Sequence, residues 1–438
     1  MQRISTRPRP DWRAKMEALG FDFHTIPTEE DPSGVYWDES AHWLLTEAEV
    51  DQLDDACVEL HKMCLSACQR IVSERLYPLL GIHPDVARVI EQSWEKRDDP
   101  SQFSLYGRFD LAYGGPGHGD GMPKLLEYNA DTPTGLYEAS VAQWAWLEDV
   151  FPDGDQFNSI HEGLVERWKR LLQADRTLAD DPSRRGWGDK QGRLHLTCAM
   201  PHAEDEGTLR YIQDTATEAG LATKAIALAD IGWTEETGGG WPPGAVAKPG
   251  WFSDLEEQEI TSLFKLTPWE WLVTDPFGAN LLKTVQGNRI RVIEPVWKML
   301  LSNKGLLAVL WEMYPHHPYL AEAHFDRRAF APGAKVVAKP LLGREGANIS
   351  VAMLGEGGTI QGRPALETAG PYGEEGYVYQ AWTPVVSATG PDAKGVTRTH
   401  HAVVGAWMVG DECRGIGIRE DSTEITKNTS RFVPHRFE

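Results

Sequence analysis

The chain has 438 residues, 41% of them hydrophobic, which is enough for a substantial core and for two or three domains. Its 65 acidic against 43 basic residues give a formal charge of -22, which argues against a nucleic-acid groove and leaves small molecules and cationic partners open. No apolar run approaches the roughly 18 residues of a membrane span, and the basic segment Met1 to Arg13 leads into no signal-like apolar core, so a cytoplasmic protein with no membrane partner is expected.

In chain order, Pro8, Pro10, Pro27 and Pro32 break any long element before Ser40. Leu45 then begins a long amphipathic helix, capped by Thr46 with Glu49 three residues on, that runs to about Leu76 before Pro78. A second helix is expected from Pro84 to Trp94, so this front region reads as helical scaffold. Cys57, Cys64, Cys68 and His61 fall on one face of the long helix. Side chains from one straight helix cannot surround a tetrahedral ion, so a buried face of small apolar residues is expected there.

Gly107 to Gly135 concentrates the chemistry. Arg108 to Tyr113 and Lys124 to Asn129 read as short strands joined by a glycine-rich turn. Period-two alternation puts Arg108 and Asp110 on one side of the first, and Glu127 and Asn129 on one side of the second. Paired as a hairpin, they would bring three hard oxygen ligands together, suited to Mg2+, with Arg108 beside them for an anionic group. The alternative is a solvent-exposed hairpin with a charged face. Leu136 to Val150 and Asn158 to Ala174 read as helices, and the polar stretch Asp175 to Gly192 as a domain boundary.

From Arg193 the pattern changes to strand, helix and strand: R-L-H-L-T-C-A, then Glu206 to Ala219, then Lys224 to Leu228. This predicts a right-handed crossover in a parallel sheet. Ligands gather at the carboxyl ends of such strands, where Glu204 and Asp205 fall; the two acids could equally serve the helix N-terminus. Gly238 to Gly244 is a loop, and no G-x-x-x-x-G-K-[ST] phosphate loop occurs. Lys304 stands near the start of a helix expected over Lys304 to Tyr314, and Lys339 at the end of a strand from Lys335. Gly343 and Gly346 then bracket an arginine in a turn before a strand from Asn348 to Met353. Such a turn can lay backbone N–H groups over phosphates with a strand lysine below as counter-charge. Tyr377 to Trp382 reads as a strand suited to an adenine hinge. Arg419, flanked by apolar residues in G-I-G-I-R-E-D, is expected to point inward.

These blocks carry a resemblance. G-R-F-D, L-E-Y-N-A-D-T-P-T, W-K-M-L-L-S-N-K, V-A-K-P-L-L-G-R-E-G-A-N-I, V-Y-Q-A-W and G-I-R-E-D, in that order, resemble the synthetase domain of glutathionylspermidine synthase and its stand-alone relatives, from about Arg13 to Val433. The resemblance implies a mixed α/β, ATP-grasp fold, circularly permuted as in eukaryotic glutathione synthetase. Its parts would be a helical N-terminal scaffold carrying the hairpin over 1–190, a βαβ pre-ATP-grasp domain over 191–295, and a nucleotide-binding region with its lid over 296–438.

It further implies that Asp110, Glu127 and Asn129 hold Mg2+, that Lys304 and Lys339 bind ATP phosphates, and that Gly343 to Asn348, including Gly346, form the lid. Gln380 to Trp382 would line the adenine, Arg108 and Arg419 would clamp the acyl phosphate and the substrate carboxylate, and Thr132 and Thr134 would contact substrate. Pro133 between them, and threonines where the bifunctional enzyme has serines, put identical substrate selection in doubt. The bifunctional enzyme also has an N-terminal amidase domain; this chain begins directly with the synthetase, so no amidase activity is expected. The implied activity is ATP- and Mg2+-dependent joining of a small-molecule or peptide carboxylate to an amine, possibly a polyamine, through an acyl phosphate. A nucleotide-binding protein without turnover, and a small-molecule kinase on the same fold, are the alternatives. The identities of acid and amine, and the oligomeric state, are left open.

Overall fold

The structure is a computed structural model that describes residues 1–27, 34–179, 193–235 and 250–438. The Gly238 to Gly244 loop and most of the expected boundary after Asp175 lie outside the described residues. The helix before that boundary continues to Ala179, five residues beyond its expected end.

The long helix Glu47–Glu74 forms because apolar residues recur every three or four positions and its first turn is capped at both levels. Thr46 Oγ1 accepts the Glu49 N–H at 3.3 Å, and Glu49 Oε2 accepts the Thr46 N–H at 2.9 Å. Arg75, in the left-handed region at φ 55°, ends it. Cys57, Cys64 and Cys68 are fully buried against the central sheet, while His61 bonds the Tyr128 hydroxyl at 3.0 Å and Asp411 at 3.3 Å.

That sheet is antiparallel. Its order is Arg431–Val433, Glu412–Asp421, Thr397–Val409, Tyr106–Ala112, Lys124–Asn129, with Val386–Pro391 pairing the first half of Thr397–Val409. The hairpin has the register that the alternation requires, with Arg108 opposite Asn129 and Asp110 opposite Glu127. Phe109 and Tyr128, one residue out of phase, stack with centroids 3.8 Å apart in the core behind them. A one-residue slip would exchange these two faces.

A second antiparallel sheet, of Ala323–His324, Tyr377–Ala381, Lys335–Pro340, Ser350–Leu354 and Ile360–Glu367, stands opposite the hairpin. The crossover after Arg193 is present. Leu194–Cys198 and Thr223–Ala227 pair in parallel around the helix Ala203–Glu218, and Ser262–Lys265 and Arg291–Ile293 extend the sheet.

Some local expectations are corrected. Gln2–Ser5 pairs with Ala41–Leu45, which runs parallel to His435–Phe437; Leu45 therefore ends a strand, and the helix begins at Glu47. Pairing between the two chain ends leaves no local signal. Leu136 to Val150 is helical throughout, as expected, but contains a π turn over Glu138–Ala142. The helix expected from Lys304 spans Leu306–Met313, with Lys304 two residues ahead of it.

A buried ion pair joins the hairpin to the parallel sheet. Asp131, directly after the second hairpin strand, pairs through Oδ1 with Lys265 on a parallel strand, and both side chains are wholly buried. Its Oδ2 accepts the Trp269 N–H at 2.9 Å. Two charges this deep are tolerable only because each has its partner.

Candidate active site

Between the hairpin and the second sheet lies a cavity of about 210 Å³. Arg108, Asp110, Glu127, Asn129, Thr132, Thr134, Lys304, Lys339, Gly343, Gly346, Gln380, Trp382 and Arg419 all line it. Residues separated by up to 311 positions thus share one space. The hairpin contributes the acids, and the strand Lys335–Pro340 and the segment before Leu306 contribute the lysines.

The charges are paired. Arg108 Nε donates to Asp110 Oδ1 at 2.6 Å and Nη2 to Oδ2 at 3.0 Å, while Nη1 donates to the Thr134 carbonyl at 2.5 Å. Lys304 Nζ lies 2.9 Å from Glu127 Oε2 and 2.5 Å from the Gly343 carbonyl, so it spans from the acidic hairpin to the glycine-bracketed turn. Lys339 Nζ donates to the Leu126 carbonyl and to Gln380 Oε1, both at 2.8 Å. Burial works to raise the Glu127 carboxyl, but Lys304, Lys339 and Arg108 outweigh it and bring it down to about 2. Burial, opposed by Arg108, leaves Asp110 above the ordinary carboxylate range. Burial also lowers Lys339, against the pull of Glu127, to about 8.

Two carboxylates directly opposite each other on paired strands repel unless cations lie close by. With Asn129 they make a set of hard oxygen donors that fits Mg2+. Among the described residues no group of three or more His, Cys, Asp and Glu could hold a metal, so the set depends on the Asn129 amide as its third member. Asn129 is held by the Thr132 backbone, accepting its N–H at 3.2 Å and donating to its carbonyl at 3.3 Å. The amide oxygen keeps a second lone pair for a cation.

The glycine-bracketed turn borders the cavity through Gly343, Arg344, Glu345 and Gly346. Arg344, between the two lid glycines, pairs with Glu270 at 2.6 Å and donates to Thr132 Oγ1 at 3.0 Å. Gly346, at φ +68°, packs so tightly that a Cβ there would meet the Thr426 carbonyl at 2.4 Å. Arg419 uses Nε and Nη2 on the carbonyls of Ser430, Lys427 and Asn428, all at 3.0 Å, and so holds the loop opposite the lid.

Three expected residues do not line the cavity. Asn348, at φ 53°, turns to the far face of its sheet, where its Oδ1 accepts the Tyr372 N–H at 2.8 Å; the left-handed backbone breaks the alternation that would have turned it inward. Glu204 and Asp205 sit in the first turn of Ala203–Glu218. Burial, opposed by His202, then reinforced by Glu204 and the lid residue Glu345, pushes Asp205 up to about 6. Glu270, Glu424 and Lys427 line the cavity without having been singled out. Glu270 is the second residue of the four-residue helix Trp269–Leu272, too short to give a periodic signal, and the other two lie in a loop.

A five-stranded antiparallel sheet opposite an acidic hairpin, beside a parallel βαβ unit, defines a glutathione synthetase-like ATP-grasp fold, with the acidic hairpin early in the chain and the five-stranded sheet late. A solved structure of a glutathione synthetase-like effector from Globodera pallida has this fold, with a TM-score of 0.56 over 99% of this chain and 98% of that one, at 9% identity. The family described as Glutathionylspermidine synthase preATP-grasp matches residues 3–438, and the chain belongs to it. A Haemophilus influenzae protein carrying the name "Putative acid--amine ligase" is 37% identical over 100% of both chains. Trypanothione synthetase of Crithidia fasciculata is 26% identical over 96% of this chain and 59% of its own length. The bifunctional glutathionylspermidine synthetase/amidase of Escherichia coli is 24% identical over 90% of this chain and 58% of its own length. The chain thus spans under two thirds of the two longer relatives. Among the described residues no helix is long and apolar enough to cross a membrane.

Proposed function

We propose that the chain is an ATP- and Mg2+-dependent carboxylate–amine ligase working through an acyl phosphate. The observation that carries this reading is the convergence of Asp110, Glu127 and Asn129 with Lys304 and Lys339 on one cavity under a glycine-bracketed lid. Family membership and the acid–amine ligase name of the full-length relative support it.

A carboxylate is a poor electrophile, so transfer of the γ-phosphoryl group to it comes first, and the amine then attacks the mixed anhydride with loss of phosphate. Both steps build negative charge. Asp110, Glu127 and Asn129 would hold Mg2+, which when bound supplies charge neutralisation at the phosphoryl oxygens. Lys304 and Lys339 bind phosphate oxygens, Gln380 and Trp382 line the base, and Arg108 and Arg419 hold the anion that forms. Thr132 and Thr134 present hydroxyls to the acid. The Gly343 to Gly346 turn excludes water, to which an acyl phosphate would be lost. On the far side of the lid Glu345 faces Glu204 and Asp205, and that acidic side admits a cationic amine. The division into 1–190, 191–295 and 296–438 goes with this reading, and so does action in the cytoplasm, where ATP and Mg2+ are supplied.

The test is incubation of the purified chain with ATP, Mg2+ and a mixture of peptides and polyamines, with products resolved by mass. An amide together with ADP is expected. A stable phosphorylated acceptor, or nucleotide bound without ADP release, would overturn ligation in favour of a kinase or a binding protein.

A further inference from the structure

Arg419 reaches the cavity from the strand Glu412–Asp421, yet most of its hydrogen bonds are spent elsewhere. Nε and Nη2 bond three loop carbonyls, and only Nη1 has no hydrogen-bond partner among the described residues. These bonds and the ring of a residue nearly 400 positions earlier together set the guanidinium plane, and hence the direction of Nη1. The Arg419 guanidinium carbon lies over the Tyr36 ring, 5.3 Å from its centroid. Tyr36 is 1% exposed, and its carbonyl accepts the Phe432 N–H at 2.7 Å, which ties its backbone to the strand that follows the loop Arg419 holds.

Below the ring, the Tyr36 hydroxyl donates to Glu138 Oε1 at 2.5 Å. Glu138 is fully buried, and its Oε2 has no hydrogen-bond partner. A buried carboxyl with an unsatisfied oxygen is costly, and packing alone does not call for one: a phenylalanine over a leucine would fill the same space. The arrangement makes sense as a lock on the orientation of the ring. Glu138 opens the π turn three residues after Gly135, and the preceding Thr134 carbonyl accepts from Arg108. Arg108 and Arg419, both lining the cavity, are therefore braced from one short segment.

We propose that Tyr36 and Glu138 are positioning residues for Arg419, the aromatic face carrying the guanidinium and the buried carboxyl fixing that face, so that Nη1 points at the anion held in the cavity. The proposal rests on the ligase reading for the identity of that anion, but the bracing itself does not. Cation–π contact of this kind contributes most where water is excluded, and the Tyr36 ring is 1% exposed.

The groups facing Glu138 are Tyr36, Glu204 from the helix Ala203–Glu218, and Arg419 from its strand. Burial, with Glu204 adding to it and the Tyr36 hydroxyl and Arg419 opposing, lifts Glu138 to about 7. Ionisation then strengthens its hold on the hydroxyl and on the cation, so turnover should rise as pH passes upward through that value.

The test compares Tyr36→Leu, Tyr36→Phe and Glu138→Gln with the natural chain, each first shown to be folded by its melting transition. With the acid and amine found to give product, Tyr36→Leu should lower kcat by about tenfold while leaving KM for ATP unchanged, and Tyr36→Phe, which keeps the ring, should restore most of the rate. Glu138→Gln should remove the rise in kcat near pH 7. Independently of turnover, trypsin should cleave after the exposed Lys427 several times faster in Tyr36→Leu than in Tyr36→Phe, because the Lys427 carbonyl is held by Arg419. A natural chain that forms no product overturns the ligase reading and leaves the cleavage comparison to decide the bracing. A folded Tyr36→Leu with unchanged cleavage or kcat, or an unchanged pH profile in Glu138→Gln, overturns this inference.

Discussion

Asp110, Glu127 and Asn129 were readable because strand alternation is rigid: once two strands pair, every second side chain is committed to one face. Lys304 and Lys339 were readable from the glycines that follow Lys339. Glu270, the partner of Arg344, was not, because the pair spans 74 residues and joins a short helix to a distant turn, and nothing local encodes it. The same holds for two buried histidines near the chain ends. His42 Nε2 accepts from Arg436 at 3.2 Å, and His435 Nδ1 bonds Gln143 Oε1 at 2.9 Å while its Nε2 has no partner, so a second proton would face a guanidinium in the first and find no acceptor in the second. Burial, with Arg436, lowers His42 to about 4, and burial, with His42, lowers His435 to about 3. Both folded values lie below the unfolded 6.5, so the unfolded chain takes up more protons as pH falls. Stability is therefore full above pH 6.5 and is lost below it, by about 2 kcal/mol per histidine at pH 5. Urea unfolding at pH 7 and pH 5 should show the drop, and His42→Gln should lessen it; an unchanged midpoint would contradict the assignment.

At the scale of elements, the turn between Lys335–Pro340 and Ser350–Leu354 is where sequence and structure agree in kind and differ in detail. The glycine-bracketed turn was legible, since only such a turn lets backbone approach closely. That Asn348 would leave the cavity was not, because a left-handed residue beside the strand is invisible to a two-residue period. Gly346 has the sharpest requirement. Its φ of +68° disfavours any side chain, and a Cβ would sit 2.4 Å from the Thr426 carbonyl. Gly346→Ala should push the lid away from the Ser422–Ser430 loop. In single-turnover measurements it should raise hydrolysis of ATP uncoupled from amide formation by several-fold, with little change in melting temperature. Unchanged coupling would show that this turn does not exclude water.

For the whole molecule, the cavity exists only because the central sheet and the second antiparallel sheet meet, and the buried Asp131–Lys265 pair ties the hairpin to the parallel sheet beside them. The crossover and the hairpin could each be read locally. Their junction could not, since the residues are 134 positions apart and each looks unremarkable alone. Lys265→Met leaves Asp131 charged, buried and unpaired, and should cost about 3–5 kcal/mol in chemical unfolding. Asp131→Asn with Lys265→Met together should recover part of that loss; equal losses in the single and double variants would show that the pair does not couple.

The central claim is that the early acidic hairpin and the two later lysines form a single metal–nucleotide pocket. Calorimetric titration of a non-hydrolysable ATP analogue, with and without Mg2+, tests it most directly. The account predicts that Mg2+ tightens binding at least about tenfold in the natural chain, that Glu127→Ala removes this dependence on Mg2+ while remaining folded, and that Lys339→Met weakens binding in both conditions. Binding that is indifferent to Mg2+ and unchanged in both variants would contradict it.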